Sequence, residues 1–527
     1  MTSSVYSRVI FFVLSIFFHS TGQADSPSYI NFESGHVRPM ALSQNKLIFA
    51  AVNTRDNRAE VYNVLENGML EHKFSVPVGL EPVALAFKNN NELWVVNHLS
   101  DSISVVDISH NQGYVKYTLL VGDEPRDIVF AGTDVLKAFI STAHRGQHRS
   151  NQTIQSIDGT GDPQLHNASV GRSDVWVFDA EQFGTEFGGK PLKVIELFGD
   201  TPRALATNVD KSEVFVAVFN SGNQTSIIHE SVMCYGFDDT PSGSSGTGEN
   251  RSGNEPCVVG NIPLTDASSS PNGPVNKTLP SGRPLPSVNI DGENQPWTSM
   301  IVQFNKESGK WEDSRGLNYS NGIRFNLPDH DVFKIDANQL TILDDYEHVG
   351  TTIFNMAINP VNGHIYVSNT DSNNAQRFEG PGVLGKSTVQ GHIAKSRISI
   401  INPESGEVKT RHLNRHIDYS ILKTPQSIKQ HSVSTPLEMQ ISNDGETLYI
   451  AAIGSNKVAR YQTEMLENDE YWDGLEVEFD PILLGENHIS VPQGPSGIVL
   501  NGSTLYTYSS FDQSIRLINL PDESLIQ

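Results

Sequence analysis

Residues Gly79–Asp107 read G-L-E-P-V-A-L-A-F-K-N-N-N-E-L-W-V-V-N-H-L-S-D-S-I-S-V-V-D. Three apolar runs rich in Val, Ile, Leu and Phe are cut by two polar breaks, Asn89-Asn90-Asn91 and His98–Asp101. Short β-branched and aromatic runs divided by Asn and Asp are strands joined by hairpins, because each run is too brief for a helix. A fourth run, Y-V-K-Y-T-L-L (Tyr114–Leu120), completes the phrase. It restarts as V-G-D-E-P-R-D-I-V-F (Val121–Phe130), with Gly122 about 43 residues after Gly79.

Working outward, further copies appear in R-P-M-A-L-S-Q-N-K-L-I-F-A-A-V-N (Arg38–Asn53), G-D-T-P-R-A-L-A-T (Gly199–Thr207) and N-M-A-I-N-P-V-N-G-H-I-Y-V-S-N (Asn355–Asn369). Two more open near Thr435 and Gly494, which makes seven phrases in all. One small antiparallel sheet cannot bury both of its faces, whereas sheets packed radially bury each other's. The expected fold is therefore all-β: a seven-bladed β-propeller of four-stranded antiparallel blades. Strand a, small and apolar, lies nearest the axis; strand d, more polar, lies outermost. The last phrase shows only three strands, Gly497–Leu500, Thr504–Tyr508 and Ser514–Ile518. Tyr29–Glu33, ahead of the first phrase, is expected to supply the missing outer strand and clasp the ring.

The stretches Leu93–Asp107 (L-W-V-V-N-H-L-S-D-S-I-S-V-V-D) and Leu448–Tyr461 (L-Y-I-A-A-I-G-S-N-K-V-A-R-Y) resemble the YVTN family of β-propeller repeats. The chain also looks like the propeller half of exported proteins that carry a cytochrome c domain. That resemblance implies a propeller architecture and, through lactonase-like relatives, an enzymatic alternative. The sequence has no C-x-x-C-H, so no covalent c-type haem is expected, and no cofactor is required by any motif.

The 527 residues carry 37 basic and 61 acidic side chains, a net charge of −24. So acidic a surface repels phosphate backbones, and no nucleic-acid partner is expected. Arg8 followed by Val9–Phe18 (V-I-F-F-V-L-S-I-F-F) and the small residues Gly22 and Ala24 read as a signal peptide over 1–24. No run approaches the 20 or so apolar residues that span a bilayer. An exported monomer, periplasmic or extracellular, with a single propeller domain over 25–527 is the expectation, with no transmembrane segment.

Seven phrases leave many residues over. The surplus falls in four insertions: about 144–173, 221–330, 373–395 and 413–434. The first three follow strand b and the fourth precedes strand a. In an up-and-down blade the b–c and d–a connections emerge at the same end, so all four are expected to decorate one face. Long insertions in a compact fold commonly carry function. The insertion at 221–330 is polar through its middle, and Cys234 and Cys257, in an exported chain, are expected to form a disulfide.

Candidate site residues gather on that face. Arg126 (E-P-R-D) and Arg203 (T-P-R-A) follow a proline at the entrance of strand a, and Arg38 is placed beside them. With His98, and with His144, Arg145 and His148 of A-H-R-G-Q-H-R, they suit a small carboxylate or phosphate, which Arg binds bidentately. Glu81, Glu124 and Glu438 are the acidic groups that could instead pair with the arginines. His416, Asp418 and His392 are candidate metal ligands. The function these residues suggest is a binding or scaffold protein engaging a small anion, a metal or a protein partner. Alternatives are a lactonase-like hydrolase and a redox accessory protein that docks a cytochrome or metalloenzyme. H-E-x-x-H, P-loop, G-x-S-x-G and calcium-loop motifs are all missing from the sequence.

Overall fold

A computed structural model describes residues 35–161, 173–221, 224–228, 300–313, 316, 318–320, 323, 329–372, 394–418, 424–470, 488–520 and 524–525. The expected signal peptide over 1–24, Tyr29–Glu33, His392 and both cysteines, with their expected disulfide, lie outside the described residues.

The first sheet is β1 (Met40–Leu42), β2 (Ile48–Asn53), β3 (Arg58–Val64) and β4 (Leu70–Pro77). The second is β5 (Pro82–Asn89), β6 (Glu92–Asn97), β7 (Ser102–Asp107) and β8 (Tyr114–Leu120). The third is β9 (Pro125–Ala131), β10 (Lys137–Thr142), β11 (Ser173–Asp179) and β12 (Lys193–Leu197). In the fourth, β13 (Pro202–Thr207) and β14 (Glu213–Val218) lead into an insertion holding β15 (Thr225–Ile228), β16 (Met300–Asn305) and β17 (Lys310–Glu312). The sheet then resumes with β18 (Val332–Asp336) and β19 (Thr341–Tyr346). The fifth is β20 (Thr352–Ile358), β21 (Ile365–Ser372), β22 (Ala394–Ile401) and β23 (Val408–His412). The sixth is β24 (Pro436–Ile441), β25 (Thr447–Ala452), β26 (Lys457–Gln462) and β27 (His488–Ser490). The seventh is β28 (Pro495–Asn501), β29 (Thr504–Ser509), β30 (Ser514–Asn519) and β31 (Ser524–Leu525).

Every one of these sheets pairs its strands antiparallel in chain order, the meander that the Asn and Asp turns predict. The first strands of successive sheets lie beside one another in the cycle β1, β5, β9, β13, β20, β24, β28 and back to β1. The fold is of the propeller type. Apolar side chains of adjacent sheets interleave: Phe139, Val175 and Val177 of the third pack with Leu205, Val216 and Phe333 of the fourth. Each such side chain, fully buried, stabilises by about 1.5–3 kcal/mol. Closure between the seventh and first sheets uses Tyr506, Tyr508 and Val499 against Met40, Phe49 and Leu70. The Tyr506 hydroxyl also donates to the Gly68 carbonyl at 2.7 Å.

Three findings go beyond expectation. The last sheet has a fourth strand, β31, from the same end of the chain, which pairs with Ile518 and Asn519 at the end of β30. The four foreseen insertions do fall on b–c and d–a connections, but a further long connection joins β26 to β27 over 463–487. As a c–d link it leaves from the opposite end, so added chain is not confined to one face. It begins with a helix, Thr463–Glu467, that buries Leu466 against the fifth and sixth sheets. Lastly, the 221–330 insertion contributes a small three-stranded sheet, β15–β16–β17, that the polar composition did not suggest.

Candidate functional site

Strand a enters the axis through a repeated turn. Glu81, Glu124, Thr201 and Thr435 each stand just before a proline and each takes a left-handed backbone, φ between 50° and 61°. Their carbonyls accept hydrogen bonds from His98, Ala143, Phe219 and Ile453 at the ends of the neighbouring b strands. Non-glycine residues adopt this conformation only when the surroundings impose it. The residue after the proline is thereby placed at the axial mouth, on the end that carries the b–c and d–a connections. In the third and fourth sheets that residue is Arg126 and Arg203.

Arg203 is half-buried. Its Nε donates to the Phe354 carbonyl at 3.1 Å and its Nη2 to the His36 carbonyl at 2.6 Å. Its guanidinium lies 5.5 Å from the centre of the Phe219 ring. No carboxylate forms an ion pair with it among the described residues. Burial, reinforced by the positive charge of Arg126, pulls its pKa down to about 10. Arg126 pairs with Glu124 through Nη2 at 3.0 Å, and its buried Nε meets no hydrogen-bond acceptor among the described residues. Beside them His98 is buried, with Nδ1 3.4 Å from the Pro125 carbonyl. Burial and then the Arg126 charge bring its pKa to about 4, so the imidazole is neutral at pH 7.

Arg38 is not the third member of that ring. It bridges Ala84, which lies two residues after Pro82, whereas Arg126 and Arg203 lie one residue after theirs. Arg38 therefore belongs one step deeper, on the level of Ala84, Asp127, Ala204, Glu438 and Gly497. Its Nε and Nη2 reach Asp127 Oδ1 and Oδ2 at 3.3 and 3.2 Å, and Nη2 also donates to the Leu205 carbonyl at 2.9 Å. Nη1 stands 3.7 Å from Glu438 Oε1. Burial lowers the Arg38 pKa, but the two carboxylates outweigh it and hold the guanidinium above its ordinary value. Asp127 also accepts the Leu205 amide, and Glu438 the Ile498 amide, each from the next sheet in the cycle. Burial drives Glu438 up to about 8 in spite of Arg38.

The chain leading to Arg38 crosses the axis. Val37 donates its amide to Val83 of the second sheet, while its carbonyl accepts Asn355 Nδ2 of the fifth at 2.8 Å. With the Arg203–His36 bond and the Arg38 contacts, residues 36–38 touch sheets on every side. They cross the axis between its two ends.

The other predicted residues are scattered. Arg145 is buried and pairs with Glu196 at 3.3 Å. His148 Nδ1 lies 2.8 Å from the Val121 carbonyl, which ties its loop to the second sheet. His144 is half-exposed, 3.6 Å from Asp200. The arrangement thus brings together Arg126, Arg203 and His98, and leaves Arg145 and His148 holding the 144–173 insertion. Its principal anchor is Arg149, the last residue of A-H-R-G-Q-H-R: buried, it binds Asp174 at 2.5 Å, Glu196 at 2.6 Å and the carbonyls of Gly159 and Gly161. Asp127 was overlooked too. Its signal was available, since E-P-R-D and T-P-L-E place acids where E-P-V-A and T-P-R-A have alanine.

His416 is buried near His431, His488 and Lys457, and burial together with the neighbouring positive charges lowers its pKa to about 4. Among the described residues no three His, Cys, Asp or Glu side chains converge in a way that could hold a metal ion, so His416 and Asp418 do not form such a group.

No family model matches this chain, and no curated protein matches it. Solved structures do. A hydrazine synthase chain from Kuenenia stuttgartiensis is 14% identical, with 93% of this chain and 97% of that chain covered and a TM-score of 0.49. A functionally unknown protein from Desulfotomaculum acetoxidans is 10% identical over 91% and 93%, with a TM-score of 0.42. A 6-phosphogluconolactonase candidate from Bacteroides uniformis is 11% identical over 80% of each chain, TM-score 0.37. These likenesses bear on neither activity nor ligand.

Proposed function

We propose that the chain is an exported, monomeric seven-bladed propeller that binds a small anion at the axial mouth bearing the b–c and d–a connections. Arg203 carries the reading: a half-buried guanidinium that, among the described residues, meets two backbone carbonyls and one aromatic ring and no carboxylate, beside a second cation. Bringing two guanidiniums together out of water is unfavourable unless an anion shares them, and a carboxylate does so with directed, charge-assisted hydrogen bonds. Neutral His98 adds a polar group without adding repulsion or a competing charge. Glu124 neutralises half of the cation pair and favours a singly charged head over a doubly charged one. The groups gathered at this mouth, Arg126, Arg203, His98 and Glu124, offer charge and hydrogen bonds but no hydroxyl or thiol nucleophile, so binding is preferred to hydrolysis.

Calorimetric titration of the full chain with acetate and malonate at constant ionic strength tests this reading. Saturable binding is expected, weakened at least about tenfold in Arg126→Met, the usual scale for losing a charge-assisted hydrogen bond. Absent heats, or equal affinity in the variant, would remove the support for the reading.

A further inference from the structure

The opposite end of the axis is a different chemical environment. It opens as a cavity of about 450 Å3 between the second halves of β5, β9, β13, β20 and β24. Phe87, Phe130, Ala206, Met356, Ile358 and Ile441 give it apolar stretches of wall, and Thr207, Gln440, Asn443 and other polar groups make up the larger share of the lining. Arg38, level with Ala84 and so deeper in register than the wall residues, forms its inner end. That size lies within the range of small-molecule sites.

The charges on its lining decide what it can hold. In a chain of net charge −24 the two charged side chains lining this cavity, Arg38 and Lys211, are both cations. Asp127 and Glu438 stand behind Arg38 and are not part of the lining. The Arg38 donors are spent unequally: Nε and Nη2 bind Asp127 and Leu205, whereas among the described residues Nη1 meets Glu438 Oε1 alone, at 3.7 Å, beyond hydrogen-bond distance. Nη1 is therefore the donor left for a ligand.

We infer that this cavity binds a small amphiphile, a short alkyl or aryl body ending in a single carboxylate, with its head against Arg38 and its body along the apolar walls. A neutral molecule of the same shape would bury the same apolar surface but leave Nη1 without an acceptor. A doubly charged anion would gain nothing from the walls. This site is separated from the decorated mouth by residues 36–38 and does not depend on the reading given to that mouth.

The test is calorimetric titration of the full chain with octanoate and with octan-1-ol. Saturable octanoate binding is expected, with the alcohol at least about tenfold weaker, as the loss of a charge-assisted hydrogen bond requires. Gln440→Trp, which fills the cavity from its lining, should abolish binding of both. Lys211→Gln should weaken octanoate several-fold and leave octanol alone. Arg38→Met should erase the preference for the acid; if that variant fails to fold, the Lys211→Gln comparison still reads the charge. Saturating malonate should not displace octanoate. Equal binding of acid and alcohol, no saturable binding, undiminished affinity in Gln440→Trp, or displacement by malonate would each overturn the inference.

Discussion

Arg149 shows what one side chain can hold. It is fully buried, and its partners include a carboxylate at the start of β11, Asp174, and two carbonyls of its own loop. Removing one member of a buried ion pair leaves its partner uncompensated, at about 3–5 kcal/mol. Arg149→Met should lower stability by that order in urea denaturation, with faster amide exchange across residues 147–161. Glu438 makes a second prediction, on pH. Its carboxyl sits near 8 in the folded protein against an ordinary 4.5, so the folded state binds the extra proton. Stability then falls as pH rises from about 4.5 to about 8, because the unfolded chain ionises first. Glu438→Gln should flatten that part of the stability profile and be more stable than the parent above pH 8. A difference curve with no slope in this window would refute the assignment.

At the scale of the element, Gly497 is where β28 must pass β1. A Cβ built there would lie 2.3 Å from Pro39 Cγ and 3.0 Å from Glu438 Oε2. Gly497→Ala should cost about 1–3 kcal/mol through overpacking, measured as a shift in thermal midpoint. The strands themselves were legible because each sheet repeats one local chemistry: a proline entrance, an apolar run, an Asn or Asp turn. Register was less so. Arg38 looks adjacent to the other arginines because it touches a proline, yet Pro39 follows it where Pro125 and Pro202 precede Arg126 and Arg203. The excursion after Gln462 went unseen because T-E-M-L-E carries one buried apolar anchor, Leu466, and no strand pattern. The sheet β15–β16–β17 joins segments about 70 residues apart, beyond the reach of any local rule.

For the whole molecule, each sheet buries its faces only against two neighbours, so losing one exposes the next. Denaturation should be a single transition, and amide exchange in the third and seventh sheets should report one common opening free energy in the parent and in Gly497→Ala. Distinct midpoints for the two sheets would show that the cycle comes apart in pieces. The candidate mouth was partly legible, since Arg126, Arg203 and His98 do meet. Arg145 and His148 were misread because residue type alone does not reveal whether a basic side chain faces solvent or its own backbone.

The crossing made by residues 36–38 has a consequence for assembly. Val37 waits for Asn355, and Arg38 for Glu438, partners separated from them by most of the chain. A ribosome delivers these early residues long before anything exists to receive them. The slow step of maturation should therefore be a late docking event, hastened by stabilising the sixth sheet and indifferent to stabilising the second.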